Sequence, residues 1–341
     1  MPTTSHPADI TPQAPIGSGF GKTSTAQQVI AGIDLAGRTA IVTGGYSGLG
    51  RETLRVFLAA GARVIVPARD EARAKAALAG LAAEIWPLDL LDPASIDAFA
   101  ARFLAENIPL DILVNNAGIM ALPQLSRDAR GHELQFATNH LGHFQLTVRL
   151  WPALKAAHGA RVVSLASLGH RLSPVVFEDI DFNHRDYVPF TAYGQSKTAN
   201  VLFALAADRR GQQDGIRVFA VHPGGILETN LARHIDPAMF EGLGAVDAKG
   251  QLVIDPERGL KSTEMGAATQ VWCATSPALA GKGGVYCEDC DISAVVMPEA
   301  IGTDIGSMMH IPGVFPHAID HEAAERLWAL SEQWTGVAIG A

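Results

Sequence analysis

Thr191-Ala-Tyr-Gly-Gln-Ser-Lys197 places a tyrosine and a lysine four residues apart at the start of a helical stretch. The stretch continues through Thr198-Ala-Asn-Val-Leu-Phe-Ala-Leu-Ala206. Positions four apart share one helix face, so Tyr193 and Lys197 can point into one pocket. An ammonium beside a phenol favours the phenolate and lowers its pKa from about 10. That suits Tyr193 to general acid/base work near neutral pH. The same spacing also occurs as a solvated surface pair, so the surroundings decide.

The first surrounding feature lies upstream. Thr39-Ala-Ile-Val-Thr43 is a short apolar run rich in β-formers, followed at once by Gly44-Gly-Tyr-Ser-Gly-Leu-Gly50. A helical pattern, Arg51 to Ala60, comes next. Strand, glycine turn, helix is the context in which such a motif binds phosphate. Glycines let the backbone approach a pyrophosphate, whose charge sits at the helix N-terminus. A second β run, Arg63-Val-Ile-Val-Pro67, ends near where an adenosine ribose would lie. An NAD site usually has a carboxylate there, but this chain has Ala68 and then Arg69. One guanidinium could clasp a 2′-phosphate, which points to NADP(H). Arg69 could equally be solvated, and Asp70 could serve a ribose, so NAD(H) stays open.

The elements that must position these residues alternate along the chain. Strands are expected at 84–90, ending near Asp89; at 110–115, running into Asn115-Asn-Ala-Gly118; and at 161–167, ending in Ser167. Two more fall at 215–221, leading into His222-Pro-Gly-Gly225, and at 284–287. Helices are expected at 71–81, 93–106, 128–156, 191–211, 262–274 and 318–334. The long one carries Asn139. The alternation predicts a single α/β unit, a doubly wound parallel sheet of about seven strands with helices on both faces. Residues 1–23 read as a poorly ordered arm, and Ser24 to Gln27 as a capping box opening a short helix. Residues 226–261 lack periodicity and read as a lid over the substrate. An apolar pocket is guessed from Met239, Phe240 and Leu243.

Composition excludes other classes. The chain has 341 residues, 48% of them hydrophobic, and a net charge of −9. No basic tract suggests nucleic acid or an anionic membrane as partner. No run of about 18 apolar residues suggests a membrane span, and residues 1–21 lack an apolar signal core, so a cytoplasmic location is expected. Three cysteines imply no disulfide framework. Cys287-Glu-Asp-Cys290 has the spacing of half a zinc site, but no second pair exists. His140, His143, His170 and His222 show no metal spacing; His317 and His321, read as four apart on a helix, lack a third ligand. No metal is expected. Gly21-Lys22-Thr23 is not a P-loop, because position 16 is Ile16. Ser47 is not in a hydrolase elbow, because position 49 is Leu49.

Taken together, the chain strongly resembles the short-chain dehydrogenase/reductase family. The carriers are Thr43-Gly-x-x-x-Gly-x-Gly50, Asn115-Asn-Ala-Gly118, Asn139, Ser167, Tyr193-x-x-x-Lys197 and Pro223-Gly224, in the family's order. Within it the chain looks most like the retinol dehydrogenase-like branch, which includes the WW-domain-containing oxidoreductase. Asn139-His-Leu-Gly-His-Phe144, Ser167-Leu-Gly-His170, Asn200-Val-Leu-Phe203 and Arg326-Leu-Trp-Ala-Leu-Ser331 carry that likeness.

The resemblance implies a Rossmann fold and hydride transfer between NADP(H) and an alcohol, ketone or aldehyde. It implies that Tyr193 gives or takes the hydroxyl proton and that Lys197 lowers the phenol pKa and binds the nicotinamide ribose. Ser167 would hydrogen-bond the substrate oxygen, and Asn139 would hold a water in a relay with Lys197. Cofactor contacts are implied for Gly44, Tyr46, Ser47, Gly48, Leu49, Gly50 and Arg69, and for Asp89 and Leu90 beside the adenine. Asn116, Ala117, Gly118, Tyr193, Lys197, Pro223, Gly224 and Ile226 complete the implied set. The family continues Pro-Gly-x-(Val/Ile)-x-Thr, but here Glu228 stands at the Thr position and Thr229 follows.

The expected organisation is an extension to residue 32, a catalytic domain over 33–297 and a tail over 298–341. The family often pairs through the helix carrying Tyr193, so a homo-oligomer is possible, though the tail could block that face. A non-catalytic dinucleotide sensor or scaffold is the alternative of a different class.

Overall fold

The computed structural model describes residues 10–234, 244–247, 249–301 and 311–340. Met239, Phe240 and Leu243 lie outside the described residues. Eight strands form one sheet: β1 Thr39–Val42, β2 Arg63–Ala68, β3 Glu84–Pro87, β4 Ile112–Asn115, β5 Arg161–Leu165, β6 Arg217–Val221, β7 Val285–Glu288 and β8 Asp291–Ile292. Their order is β3-β2-β1-β4-β5-β6-β7-β8. The first seven are parallel and β8 is antiparallel to β7. The strand order reverses at β1, whose neighbours are β2 and β4, and ligands collect at the carboxyl ends of such a switch point. Helices cover both faces, as the doubly wound reading expects.

The expected count of about seven becomes eight because Asp289 and Cys290 both adopt positive φ, 51° and 59°. That geometry makes a two-residue hairpin, usually signalled by Asn-Gly or Asp-Gly. Asp-Cys carries no such signal.

One face of the sheet packs α2 (Gly48–Ala59) and the short α1 (Ala26–Val29). Thr25, not Ser24, is the N-cap of α1, with Gln28 completing the capping box. α3 (Glu71–Ala77) follows β2. The other face packs α4 (Pro93–Ala105) and a segment expected as one helix from 128 to 156. That segment begins only at α5 (Leu134–Phe136), passes through a π-turn at Ala137–Leu141 and continues as α6 (Gly142–Arg149) and α7 (Trp151–Ala156). Gly131, at φ 92°, closes a turn whose Arg130 and His132 N–H groups donate to Asp128, which delays the start. Pro152, in the first turn of α7, forces the restart.

α8 (Pro189–Gly211) carries Tyr193 and Lys197 and is buried on all sides from Ala192 to Asp208. Its buried polar groups are matched: Gln195 to Ile180, Ser196 to Tyr193, Thr198 to Ser173. α9 (Thr263–Gly266) and α10 (Ala268–Thr275) replace the single helix expected over 262–274. The last helix, α11 (His321–Thr335), is capped by Asp320 and by Gly336 at φ 69°. It lays Trp328 over Phe203 of α8, with ring planes 5° apart, and Arg210 pairs with Glu325. His317 falls before this helix, so it and His321 do not share a helical face.

Residues 10–23 of the arm, expected to be poorly ordered, instead include a segment that docks on the edge of the sheet. Gln13 mimics a strand partner: its amide accepts from Tyr286 N–H and donates to the Tyr286 and Ser293 carbonyls. Asp291 accepts the N–H groups of Ile16 and Gly17. Among the described residues, no helix is long and apolar enough to cross a membrane.

Candidate active site

The glycine turn after β1 is shaped by close approaches. Gly44 has φ 66°, a conformation that favours glycine. A methyl group at position 50 would lie 2.5 Å from the Gly44 carbonyl oxygen and 2.6 Å from Asn116 Nδ2. Gly50 therefore lets α2 start directly against the turn. Ser47 is the exposed N-cap of α2 and makes no capping bond, and the first turn holds no acidic residue. The N–H groups of this helix end thus face outward beside bare glycine backbone, a cradle that fits a dinucleotide pyrophosphate. Tyr46 and Leu49 are partly buried and pack on the core beneath it.

Thr43 ties this turn to the one after β4. Its hydroxyl accepts the N–H groups of Asn116 and Ala117, each at 2.9 Å, and contacts His143 Nε2 at 2.9 Å. Asn116 Nδ2 returns a bond to the Thr43 carbonyl at 2.8 Å. Burial holds His143 neutral, down to about 4. Neutral His143 donates from Nδ1 to the Asn139 carbonyl at 3.1 Å, leaving Nε2 to accept from Thr43. Neither Thr43's hub nor His143 was singled out in the sequence as part of the site; both contacts span long separations.

Tyr193, Lys197 and Ser167 meet at the carboxyl ends of β4 and β5. Ser167 caps the 3₁₀ turn Leu168–Leu172, accepting from Gly169 N–H at 3.0 Å, and its Oγ and the Tyr193 ring both lie against Gly169. Gly169 is bare where a methyl would press on the Tyr193 ring at 2.8 Å. Lys197 Nζ stands 5.6 Å from the centre of that ring and donates to the Leu165 carbonyl at 2.8 Å. Gly118 comes close as well: a methyl there would be 3.7 Å from Nζ.

The protonation equilibria run opposite to the simple expectation. Burial pushes the Tyr193 phenol up to about 12, opposed by the nearby Ser167 hydroxyl. Burial also pushes the Lys197 ammonium down to about 7. The spacing argument counted the attraction of the charges and not the removal of both groups from water.

Asn139 sits in the π-turn with both ends of its side-chain amide bonded. Oδ1 accepts from Ile119 N–H at 2.9 Å; Nδ2 donates to the Ile119 carbonyl at 3.0 Å and to Ser196 Oγ at 2.9 Å.

Pro223-Gly224-Gly225 follows β6 on the other side of the cleft. Gly224 has φ 102°, and the stem of Lys261 lies over it, 2.7 Å from where a Cβ would stand. Gly225 exchanges backbone bonds with Gly259 and Lys261. The extra residue in this loop has a physical outcome. Glu228 accepts from Thr263 N–H and Oγ1 at the start of α9, while Thr229 swings onto Gly48, its methyl 2.9 Å from where a Cβ would stand. Thr229 thus reaches the phosphate turn after all. Ile226 wedges between Leu49 and Gly266. Lys261 is buried and paired with Asp289, and its place against Gly224 is another feature missed in the sequence.

Arg69 is exposed directly after β2. Asp70 caps α3 by accepting from Arg73 N–H at 2.9 Å, which commits its carboxylate locally. Asp89 accepts from Leu91 N–H, and Leu90 is buried against Gly142. Cys287 and Cys290 are both buried. Among the described residues no group of three or more His, Cys, Asp or Glu is placed to hold a metal.

Comparison with known proteins agrees with this construction. A family profile described as short chain dehydrogenase matches residues 38–239. A Streptomyces antibioticus protein named "Probable oxidoreductase" is 46% identical over 303 residues, covering 87% of this chain and 97% of that protein. Mouse retinol dehydrogenase 12 is 34% identical over 312 residues, covering 89% of this chain and 88% of its own. The RhlG/NADP active-site complex of Pseudomonas aeruginosa superposes with a TM-score of 0.57 at 28% identity, covering 75% of this chain and 95% of that one. With the glycine turn, the Asn-Asn-Ala-Gly turn and the Tyr-Lys helix gathered at one switch point, the chain belongs to the short-chain dehydrogenase family and is an oxidoreductase.

Proposed function

We propose that the protein moves a hydride between NADP(H) and an apolar alcohol or carbonyl compound, with Tyr193 as the acid/base. The observation that carries this reading is that Ser167 Oγ and the Tyr193 ring flank the same glycine, Gly169, with Lys197 Nζ buried 5.6 Å from the ring centre, at the same end of the sheet as the glycine cradle. A bound nicotinamide supplies or accepts the hydride. Ser167 offers its hydroxyl to the substrate oxygen and holds it near the phenol. Tyr193 gives its proton to the developing alkoxide in reduction and takes it back in oxidation. A phenol held up near 12 is a proton donor at neutral pH, which favours carbonyl reduction. Lys197, charged below about pH 7, draws the phenol down when protonated. It also has N–H groups to spare for ribose hydroxyls. Gly44, Gly48, Gly50 and the N-terminus of α2 hold the pyrophosphate. Pro223 and Gly224 face the nicotinamide end.

NADP(H) is favoured over NAD(H) because the position after β2 carries exposed Arg69, while Asp70 is turned to its own helix. Turnover of a panel of apolar aldehydes and ketones, followed by NADPH absorbance and repeated with NADH, tests the reading. Arg69→Ala is expected to raise the KM for NADPH by about tenfold, in keeping with one lost charged hydrogen bond, and to leave NADH unaffected. Better use of NADH by the unaltered protein overturns the cofactor assignment. A panel that shows no turnover with either nucleotide, despite nucleotide binding, favours the sensor reading.

A further inference from the structure

His170 lies three residues past Ser167 and is buried. Five hydrogen bonds converge on it, one of them from its own backbone N–H to the Ser167 carbonyl at 3.1 Å. Phe315 N–H donates to its Nε2 at 3.2 Å. A backbone amide can only donate, so Nε2 is an acceptor and the ring proton sits on Nδ1. Nδ1–H then donates to the Ser167 carbonyl at 2.7 Å. The carbonyl of His170 accepts from His317 Nε2 at 2.9 Å and from Thr198 Oγ1 at 3.1 Å. Burial holds the ring neutral, down to about 3, and the nearby Arg171 and His317 add to that push.

The donors Phe315 and His317 belong to a segment that reaches the site from beyond β8. Val314 pairs with Ala294 and Val296. Arg171 donates to the Ile311 and Gly313 carbonyls, and Glu288 accepts from Gly313 N–H. Gly313, at φ 141°, has no space for a side chain beside Val296. The segment is thus clamped by both neighbours of the catalytic cleft, the turn after β5 and the end of β7.

We infer that His170 is a positioning residue for Ser167, anchored in its Nδ1–H form from two sides: by the Ser167 carbonyl and by the docked N–H of Phe315. The inference rests on the reading of Ser167 and Tyr193 given above. With Phe315 N–H in place, the only neutral form compatible with the contacts directs a proton at the Ser167 carbonyl. Without it the ring loses its anchor on the Nε2 side, although the Ser167 carbonyl still calls for a proton on Nδ1; without the imidazole both anchors go. The turn Leu168-Gly169-His170, on which the Tyr193 ring rests, then loses its rivet. The tail past β8 is in this way part of the active-site wall.

Two sets of measurements test this. In the first, His170→Leu and His170→Asn are compared with the unaltered protein, using NADPH and decanal. Asn keeps an N–H donor near the place of Nδ1; Leu keeps the bulk and loses the donor. His170→Leu is expected to lower kcat by about 10- to 100-fold, the scale of a misplaced reacting group, with NADPH affinity by fluorescence within about threefold. His170→Asn is expected to recover most of kcat. Equal kcat for the Leu variant and the unaltered protein, or no difference between Leu and Asn, overturns the inference.

The second set needs no turnover. ¹⁵N chemical shifts of the imidazole are expected to show Nδ1 protonated and Nε2 bare. Phe315→Pro removes the N–H at a residue whose φ of −77° already suits proline; Phe315→Ala removes the ring and keeps the N–H. The bare Nε2 resonance is expected to move downfield in the Pro variant, where it loses its donor, and to hold in the Ala variant. A protonated Nε2 in the unaltered protein, or the same spectrum in both variants, overturns the inference even if the His170 variants do not fold. Full turnover by Tyr193→Phe would instead sink the acid/base reading and leave the tautomer result standing.

Discussion

Lys197 and Asn200 donate to the same oxygen: Nζ and Nδ2 each lie 2.8 Å from the Leu165 carbonyl. Both lone pairs of that carbonyl are then in use. The arrangement fixes the ammonium at the end of β5 while leaving its other two donors for a ligand. It also keeps the charge in a site with little water.

This placement predicts a pH dependence of stability. Unfolded, the Lys197 amine holds its proton up to about pH 10; folded, only up to about 7. Between these values the unfolded chain binds more protons, so the free energy of unfolding rises with pH. Below pH 7 both states are protonated and the burial penalty is fully present. In Lys197→Met the titration is gone. Urea midpoints of the two proteins at pH 6, 7.5 and 9 are expected to show the unaltered protein gaining a few kcal/mol on the variant, at roughly 1.4 kcal/mol per pH unit. Parallel curves would show that Lys197 keeps an ordinary pKa.

Tyr193→Phe is expected to lower kcat by about 10²–10⁴, the usual contribution of a positioned acid/base, with NADPH binding retained. Ser167→Ala acts on the same proton. It removes the hydroxyl that opposes the effect of burial on the phenol, so Tyr193 moves to a still higher pKa. In alcohol oxidation the base limb of the pH–rate profile is expected to shift to higher pH. A profile unchanged by Ser167→Ala would separate that hydroxyl from the titrating group.

Gly50→Ala tests the cradle. The added methyl meets backbone oxygen and an amide nitrogen, not the yielding end of a side chain. Overpacking of this kind costs about 1–3 kcal/mol. The start of α2 must move away from Gly44, and with it the N–H groups that face the pyrophosphate. NADPH affinity, followed by fluorescence titration, is expected to fall by about tenfold or more, the equivalent of roughly 1.4 kcal/mol. An unchanged Kd would mean that the nucleotide does not lie on this turn.

How much of this was legible in the sequence depends on the range over which each feature is encoded. The Tyr193–Lys197 pairing, the glycine turn and the βα alternation are local patterns, and the structure keeps them. The eighth strand was hidden because Asp289-Cys290 takes a turn conformation that other residues advertise. The helix over 128–156 was overread because apolar periodicity runs through Gly131, the π-turn and Pro152 without marking the breaks. The arm looked polar and loose because the partner of Gln13 is the backbone of β7, more than 270 residues away. The directions of the Tyr193 and Lys197 shifts come from burial against Gly169, Gly118 and the end of β5, which no seven-residue window contains.

Thr43 concentrates several of these long-range contacts in one hydroxyl, and its loss should be felt in two places. Thr43→Val keeps the shape of the side chain. It leaves the N–H groups of Asn116 and Ala117 and the Nε2 of His143 without their buried partner. Each unmatched buried group costs about 1–3 kcal/mol. Relaxation of the Asn116–Ala117 turn recovers part of this, so a net loss of about 2–4 kcal/mol in urea unfolding is expected. The same relaxation draws Asn116 away from Gly50 and Gly118 away from Lys197, so the KM for NADPH should rise while the kcat at saturating NADPH stays within a few fold. Loss of kcat with an unchanged KM would instead assign the hydroxyl to the proton-transfer step, through His143 and the Asn139 carbonyl.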